Sequence, residues 1–234
     1  LYNGFSAVEG RLGVDTFLAL QAYLNPALDV PFYLAFRHLG IHGAHALLAV
    51  YLGLFIWVVF LFNRQLLRIV LPEGSLGLVT VLSLAATVIG VTGAAAVGQA
   101  ITTFNEIQTA LLVIASIALV LPDAEGGVRP AGRMALAGLV MGIAVGLKLT
   151  AMVYLVAACV ALLPWRLRID ETKAVVVYGA AALAGLLLSH GAWSWALYQH
   201  FGNPVFPLFN GIFRSPFEAP ANFADMRFFP GTTL

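Results

Sequence analysis

The chain consists of long apolar blocks joined by short polar connections. The following blocks contain no Asp, Glu, Lys or Arg: residues 46–62, 76–104, 107–121, 134–147, 149–165 and 174–213. A helix of about 20 apolar residues spans the hydrocarbon core of a membrane, which is about 30 Å thick. Backbone groups in lipid must pair within the chain, and the period-two alternation of barrel strands is absent from the sequence. The pattern therefore predicts an all-α transmembrane protein.

Basic residues give the predicted helices a direction. Three short connections hold two or three basic residues each: Arg64 and Arg68; Arg129 and Arg133; Arg166, Arg168 and Lys173. Cytoplasmic loops carry an excess of Lys and Arg, so we expect these connections to be cytoplasmic. Helices over residues 46–63, 77–98, 106–122 and 174–198 then run inward, outward, inward and outward.

The apolar stretch between the second and third basic connections holds only enough residues for one tilted crossing. Both of its ends lie beside basic connections, so we predict two short helices, 133–147 and 150–164, that enter the membrane and return at Lys148. A lone Lys in hydrocarbon costs about 2.5–3.5 kcal/mol, and a turn near the outer interface avoids that cost. Three glycines of the first short helix form a small-xxx-small row that lets a neighbouring backbone approach closely: Gly138, Gly142 and Gly146.

The two ends of the chain differ from its apolar middle. Residues 1–45 combine acids, prolines and aromatic residues, which favours an external segment with short helices lying on the membrane. Residues 199–234 hold five prolines among eight Phe residues, which favours a second external loop. Between them, residues 46–198 are predicted to form a polytopic bundle of about six membrane helices, two of them short. Neither end shows a signal pattern or a closing element, so we expect a piece of a longer protein.

Composition and charge exclude several classes of function. Hydrophobic residues make up 61% of the 234 positions and charged residues 10%, too few charges to cover a water-soluble surface. The net charge of +1 without a basic stripe argues against a nucleic-acid partner. The sequence lacks a nucleophile elbow, a Walker loop, a dinucleotide fingerprint and a paired-cysteine metal motif, and its single Cys159 excludes an intrachain disulfide.

Two charged residues beside the apolar blocks are candidates for chemistry. Lys148 either holds a phosphate at the outer turn or is a snorkelling lysine whose head reaches the lipid headgroups. Glu106 is expected to face the same compartment as Asp15 and Asp29, and converging acids suit a general base or a metal site. The alternative for Glu106 is an acid that the helix dipole favours in the first turn of a helix.

Histidine and arginine add weaker candidates. Three histidines recur at i, i+4 and i+7, as metal ligands on one helix face do: His38, His42 and His45. Two glycines among them weaken a helix there, so no metal site is assigned. His190 lies midway along the last apolar block and is expected to point into the bundle with one hydrogen bond. Arg227 suits an anionic group, although a local ion pair with Asp225 also explains it.

Three parts of the chain together resemble a known family. The first part comprises Tyr2-Asn3, Gly10-Arg11, Asp15, Tyr23-Leu24-Asn25-Pro26 and Asp29-Val30-Pro31-Phe32-Tyr33; the second comprises residues 142–150; the third comprises residues 202–207 with Asn210, Phe213, Ser215-Pro216 and residues 222–228. They resemble, in turn, the first external loop, the paired short helices and the next external loop of bacterial multi-pass glycosyltransferases of the GT-C kind. The likeness spans nearly the whole chain.

The resemblance implies transfer of a sugar from a polyprenyl-phosphate carrier to an acceptor on the outer face of the bacterial inner (cytoplasmic) membrane. It implies a base in the first external loop and a second acid in the next, which we match to Asp15 and Glu106. In relatives, the first acid lies soon after a membrane helix that is missing here. The alternative to Asp15 is therefore a base upstream of this chain, in which case the fragment alone is inactive. The other substrate-binding residues expected are Lys148, at the carrier phosphate, and Asn25, Asp29, Asn105, His190 and Arg227.

The partners expected are therefore the lipid-linked sugar donor and membrane lipids. No cofactor is assigned, and a divalent metal stays open. The main alternative is a transporter or lipid-carrier flippase, which also uses broken helices and buried ionisable groups. An internal repeat would favour the transporter, and the sequence shows none.

Overall fold

The computed structural model of the protein describes residues 2–11, 23–100, 102–122, 130–163 and 169–222, and every regular element in these ranges is helical. In chain order the helices are α1 (Tyr2–Val8), α2 (Asp29–Val70), α3 (Leu76–Val91), α4 (Ala94–Ala100), α5 (Glu106–Val120), α6 (Ala131–Leu147), α7 (Met152–Leu162), α8 (Ile169–Phe201) and α9 (Asn210–Phe213). Short 3-10 turns, Pro26–Leu28 and Leu149–Ala151, precede α2 and α7. The predicted all-α class is confirmed for the part of the chain that is described.

Two helical segments in the described ranges are long and apolar enough to cross a membrane: Pro26–Val70 and Thr172–Phe201. Helices α3 and α4 meet at an angle of 71°, and they form a third candidate if they are counted as one bent span. Helices α5, α6 and α7 are apolar but shorter than a full crossing. The described structure therefore contains two to three candidate membrane spans.

Helix α2 begins earlier than the sequence pattern predicts. The prediction placed a helix over residues 46–63 after an external segment, whereas the observed helix starts at Asp29 and contains a kink at Gly40. Gly40 has φ 65° and ψ −161°, a left-handed conformation that glycine adopts without the steric cost of a Cβ. The chain therefore bends at this glycine and continues as helix on both sides, so residues 29–39 are helical.

Among the helices that the structure describes, the closest packing joins α6 to α8. A Cβ atom at Gly142 would overlap the backbone of Ala182, and one at Gly138 would overlap that of Tyr178. On the other side of the contact, a Cβ at Gly185 would overlap the backbone of Leu139. The glycine row predicted from the sequence thus faces a neighbouring backbone, as close helix packing in membranes requires.

Polar side chains join the helices inside this core. Ser116 of α5 donates a hydrogen bond to the carbonyl of Ala137 over 2.8 Å and lies 3.4 Å from the hydroxyl of Tyr178. Tyr178, Met134 and Met141 are fully buried around them. Because an unpaired hydroxyl is costly away from water, these contacts fix α5, α6 and α8 relative to one another.

The predicted pair of short helices is present, with ends within two residues of those expected. Lys148 separates α6 from the next turn because its backbone is extended, with φ −146° and ψ 104°. Leu162, at the end of α7, belongs to the same buried cluster as Met134, near the start of α6. Helix α7 therefore returns along the core toward the end of the bundle where α6 begins.

The bundle has two ends with different polar contacts. At one end, Gln65 and Arg133 both donate hydrogen bonds to the carbonyl of Leu121, over 3.3 and 2.8 Å. At the other end lie Glu106, the first residue of α5, and Lys148, just after α6. The second end carries the residues that the sequence singled out for chemistry.

Substitution of Gly142 by Ala tests the close approach of α6 and α8. The added methyl group would overlap the backbone of Ala182, which cannot move aside as a flexible side chain does, so we expect a loss of about 1–3 kcal/mol in unfolding free energy. Gly179→Ala on α8 is the matched control, because no atom lies within 4 Å of its added Cβ. Thermal unfolding in detergent measures both, and equal melting temperatures for the two variants would contradict the packing.

Candidate functional site

A cavity of about 600 Å³ lies where α6 ends. Its walls come from the segment around α1, the start of α2, the connection before α5, the turn after α6, helix α8 and the loop that follows α8. Five residues that the sequence predicted to bind substrate line it: Asn25, Asp29, Asn105, Lys148 and His190. The fold thus brings together residues that are far apart in the chain.

The ammonium group of Lys148 is paired with the carboxylate of Glu106. Its Nζ also lies 3.4 Å from the carbonyl oxygen of Phe104. The Lys148 side chain is 24% exposed and that of Glu106 is 49% exposed, and an ion pair this open adds only about 0–1 kcal/mol of stability. The main effect of Glu106 is therefore to direct the ammonium, and Glu106 itself is not part of the cavity wall.

Asp29 is the acidic residue of the cavity wall within the described ranges. It is half-buried and begins α2, where the helix dipole favours a negative charge. Asn105 lies in the same cavity wall. It has a left-handed backbone, with φ 63° and ψ 12°, which Asn tolerates better than most residues.

Asn25 ties the segment before α2 to two helices of the bundle. The side chain is buried, and its Nδ2 donates hydrogen bonds to the carbonyls of Gly146 and Ser189, each over 2.8 Å. Its Oδ1 accepts a hydrogen bond from the backbone of Ala27 over 3.0 Å and so starts the 3-10 turn. The segment that carries Asp29 is therefore held against the ends of α6 and α8.

His190 is buried, with 6% of its surface exposed. Its Nδ1 lies 2.9 Å from the carbonyl oxygen of Gly146, and because a carbonyl only accepts, Nδ1 carries the proton. The ring nitrogen Nε2 is then an acceptor, and it is buried without a hydrogen-bond partner in the part of the chain that is described. A buried polar atom left unpaired costs about 1–3 kcal/mol. Nδ1 also lies 3.4 Å from Nδ2 of Asn25. The prediction gave His190 one hydrogen bond, and the structure gives its Nδ1 two polar neighbours, Gly146 and Asn25.

A second cavity, of about 650 Å³, adjoins the first. It lies between α7, α8 and the loop after α8, and most of its wall is apolar, with Leu186, Leu187, Trp195 and Phe209 among the residues that form it. The two cavities share five wall residues: Leu149, Thr150, His190, Val205 and Leu208. Most of the wall of the first cavity is apolar too, but only the first cavity carries charged side chains, so we call it the polar cavity and the second the apolar cavity.

The loop after α8 is held by two fully buried asparagines. Asn203 accepts a hydrogen bond from the backbone of Val205 and donates one to the carbonyl of Leu208, over 3.0 and 2.9 Å. Asn210 donates to three backbone carbonyls further along the loop and accepts from the backbone of Ser215. Sequence reasoning did not predict these roles. The available signal was an Asn on each side of a Pro- and Phe-rich run.

Aromatic residues close the side of the first cavity near α8. The ring of Tyr23 lies 4.8 Å from that of Phe206 and 5.5 Å from that of Phe201, centroid to centroid, in edge-to-face contacts. Trp193 donates a hydrogen bond to the carbonyl of Tyr23 over 2.9 Å. Burial raises the pKa of the Tyr23 hydroxyl, and the carboxylate of Glu218 raises it further, so this group is protonated at neutral pH.

Other predicted residues are not brought to this site. Asp15 and Arg227 lie outside the described residues. The three histidines of α2, at positions 38, 42 and 45, are exposed, and the described ranges contain no group of three or more His, Cys, Asp or Glu side chains suited to a metal ion. The structure thus assigns no metal ligands among these residues.

No family model, no curated protein and no solved structure matches this chain. The likeness to GT-C glycosyltransferases therefore rests on the quoted residues alone, and it stays a prediction. The arrangement of the cavity residues is independent of that likeness.

Substitution of Asn25 by Ala tests the connection over the cavity. The variant leaves the carbonyls of Gly146 and Ser189 without their amide donor, so we expect a loss of about 1–3 kcal/mol in unfolding free energy. Asn222→Ala is the control, since Asn222 is exposed and accepts one hydrogen bond from a loop backbone. Thermal melting in detergent distinguishes them, and an Asn25→Ala protein as stable as the control would show that the amide does not hold this segment.

Proposed function

We propose that the protein is a membrane glycosyltransferase that moves a sugar from a polyprenyl-phosphate carrier to an acceptor on the external face of the membrane. The observation that carries the proposal is the wall shared by a cavity with charged residues and an apolar cavity. A lipid-linked sugar has the same division, because its sugar phosphate is polar and its polyprenyl chain is apolar.

Lys148 is the proposed site for the carrier phosphate. It lines the polar cavity at the turn between two apolar helices, with Glu106 holding its ammonium in place. When the bond between the sugar and the phosphate breaks, negative charge grows on the phosphate, and a fixed cation stabilises that charge. A lysine serves this purpose as a point charge.

Asp29 is the proposed base among the described residues. A base must lie within hydrogen-bond reach of the acceptor hydroxyl, and Asp29 is in the cavity wall whereas the Glu106 carboxylate is paired with Lys148. In this step the acceptor oxygen bonds to the sugar carbon, its proton passes to the carboxylate and the carrier leaves as its phosphate. Asp15 remains the sequence-based alternative for this role.

The apolar cavity is the proposed place for the first part of the polyprenyl chain. It begins at the residues next to Lys148, Leu149 and Thr150, and extends along α8 and the loop that follows α8. A hydrocarbon chain that enters this cavity from the lipid stays in apolar surroundings, so no desolvation cost opposes its binding. The sugar then stays on the polar side of the shared wall.

The proposed setting is the inner membrane of a bacterium, with the chain as a polytopic bundle of about six membrane helices. Its basic end, with Arg64 and Arg68, faces the cytoplasm under the proposal, and the cavities face the outside. The lipid-linked donor and membrane lipids are then the partners.

The transporter alternative receives less support from the described residues. Lys148 and His190 line one cavity, which is the arrangement a transport path would need. However, none of the described residues at the opposite end, such as Gln65, Leu121 and Arg133, contributes to that cavity. A site that opens at one end fits a transferase better than a passage does.

A transfer assay with the full-length protein, purified and placed in liposomes, tests the proposed function. With a polyprenyl-phosphate sugar as donor, we expect Asp29→Asn to lower kcat by about 10²–10⁴-fold, because the proton acceptor is lost. Lys148→Gln should lower kcat as well, because the leaving phosphate loses its cation. Glu73→Gln, an exposed acid at the opposite end, is the matched control. No transfer by the wild type from any such donor would refute the function, and full activity of Asp29→Asn would refute the assigned base.

Cysteine labelling tests the proposed orientation. In a protein with Cys159 replaced by Ala, single cysteines are placed at Phe104, which is 69% exposed beside the cavity, and at Glu73. We expect an impermeant maleimide to label position 104 in intact cells and position 73 only after permeabilisation, because positive loops stay inside. Labelling of both positions from one side would contradict the orientation.

A further inference from the structure

We propose that Nε2 of His190 accepts a hydrogen bond from a sugar hydroxyl of an amphiphilic ligand with a glycosyl head and a hydrocarbon chain. This deepens the proposed function, on which it rests for the class of ligand. It assigns to one atom the recognition of the glycosyl head.

The ring of His190 is paired through one nitrogen. Its Nδ1 proton is directed to the carbonyl of Gly146, which fixes the tautomer and makes Nε2 an acceptor that is buried without a donor in the described part of the chain. Asn25 lies next to the ring, but its amide donates to two backbone carbonyls. The Nε2 atom therefore has no donor among the described side chains, although 94% of the residue is buried, with 6% exposed.

His190 lies in the wall that the polar cavity and the apolar cavity share. A ligand with its head in the first cavity and its chain in the second passes this residue at the junction of its polar and apolar parts. The missing donor is therefore expected on the head, close to the attached chain.

The ligand group that suits Nε2 is a hydroxyl and not a phosphate oxygen. A phosphate oxygen only accepts hydrogen bonds, so it would face a second acceptor at Nε2. A hydroxyl donates one and accepts others, and a sugar presents several hydroxyls around a rigid ring. A site built with an acceptor for a hydroxyl discriminates against ligands that lack it, because the acceptor is then left unpaired.

Two substitutions of His190 test the roles of its two ring nitrogens separately. His190→Asn keeps an N–H group near the position of Nδ1, for the carbonyl of Gly146, and removes the atom at Nε2. His190→Gln places an amide oxygen near Nε2 and gives up the Nδ1 donor. If His190 has a purely structural role, His190→Asn should bind the ligand better than His190→Gln does. If Nε2 recognises the ligand, His190→Gln should bind it better.

The test is saturation binding of radiolabelled octyl glucoside to the protein in phosphatidylcholine nanodiscs. We expect saturable binding to the wild type, about five- to tenfold weaker binding to His190→Asn, equivalent to about one hydrogen bond, and binding close to that of wild type for His190→Gln. Octyl phosphate should bind wild type and His190→Asn equally. Methyl glucoside, which lacks the chain, should bind all three proteins more weakly than octyl glucoside does.

Several results would overturn the assignment. They are an absence of saturable octyl glucoside binding to the wild type, equal binding by wild type and His190→Asn, and a loss for His190→Gln that matches the loss for His190→Asn. If His190→Asn does not fold, the ¹⁵N chemical shift of Nε2 in the wild type tests the assignment instead. The assignment requires that this shift change when octyl glucoside is added and stay the same when octyl phosphate is added. Binding that depends on His190 without sugar transfer would refute the proposed function alone, and transfer with binding indifferent to His190 would refute this inference alone.

Discussion

A helix that ends in the interior of a helical bundle must pair its last carbonyl groups with other parts of the chain, and α6 ends in this way. The extended backbone of Lys148 stops the helix, so the carbonyl of Gly146 cannot be paired by a further turn. Asn25 and His190 donate to it from two other parts of the chain. One backbone oxygen thus joins the segment before α2, the end of α6 and the middle of α8, and the polar cavity surrounds this junction.

The junction forms only because α6 and α8 lie unusually close together. Lipid chains are as apolar as the helix surfaces, so close packing and interhelical hydrogen bonds hold membrane helices together. At Gly142 the backbone of α8 occupies the space of a side chain, and at Gly146 the hydroxyl of Ser189 does so. The contact that stabilises the pair of helices is therefore the same contact that brings His190 within reach of the Gly146 carbonyl. The same residues therefore determine both how closely the two helices pack and how the site is arranged.

Local patterns in the sequence predicted local features and missed those that depend on distant contacts. The helices expected over residues 106–122 and 133–147 were found because their apolar runs end at charged or helix-breaking residues. The early start of α2 was missed because Gly40 bends the helix without a polar loop, and hydropathy does not distinguish a bend from a break. Glu106 was expected near other acids, but its pairing with Lys148 depends on how α5 and α6 are rotated against each other. Hydrophobic periodicity carries no information on that rotation.

The same pairing bears on the two readings of Lys148, as a snorkelling residue or as a phosphate ligand. A snorkelling lysine extends to water or headgroups, whereas this ammonium is held by Glu106 and lies near the carbonyl of Phe104 in a cavity wall. The pair is half-exposed, so it contributes about 0–1 kcal/mol, and exchanging the carboxylate for a phosphate oxygen gives up no more than that. An entering phosphate therefore competes effectively for the ammonium. The exposure of Glu106 lets its carboxylate turn toward solvent as the phosphate binds, so the ion pair is compatible with a ligand at Lys148.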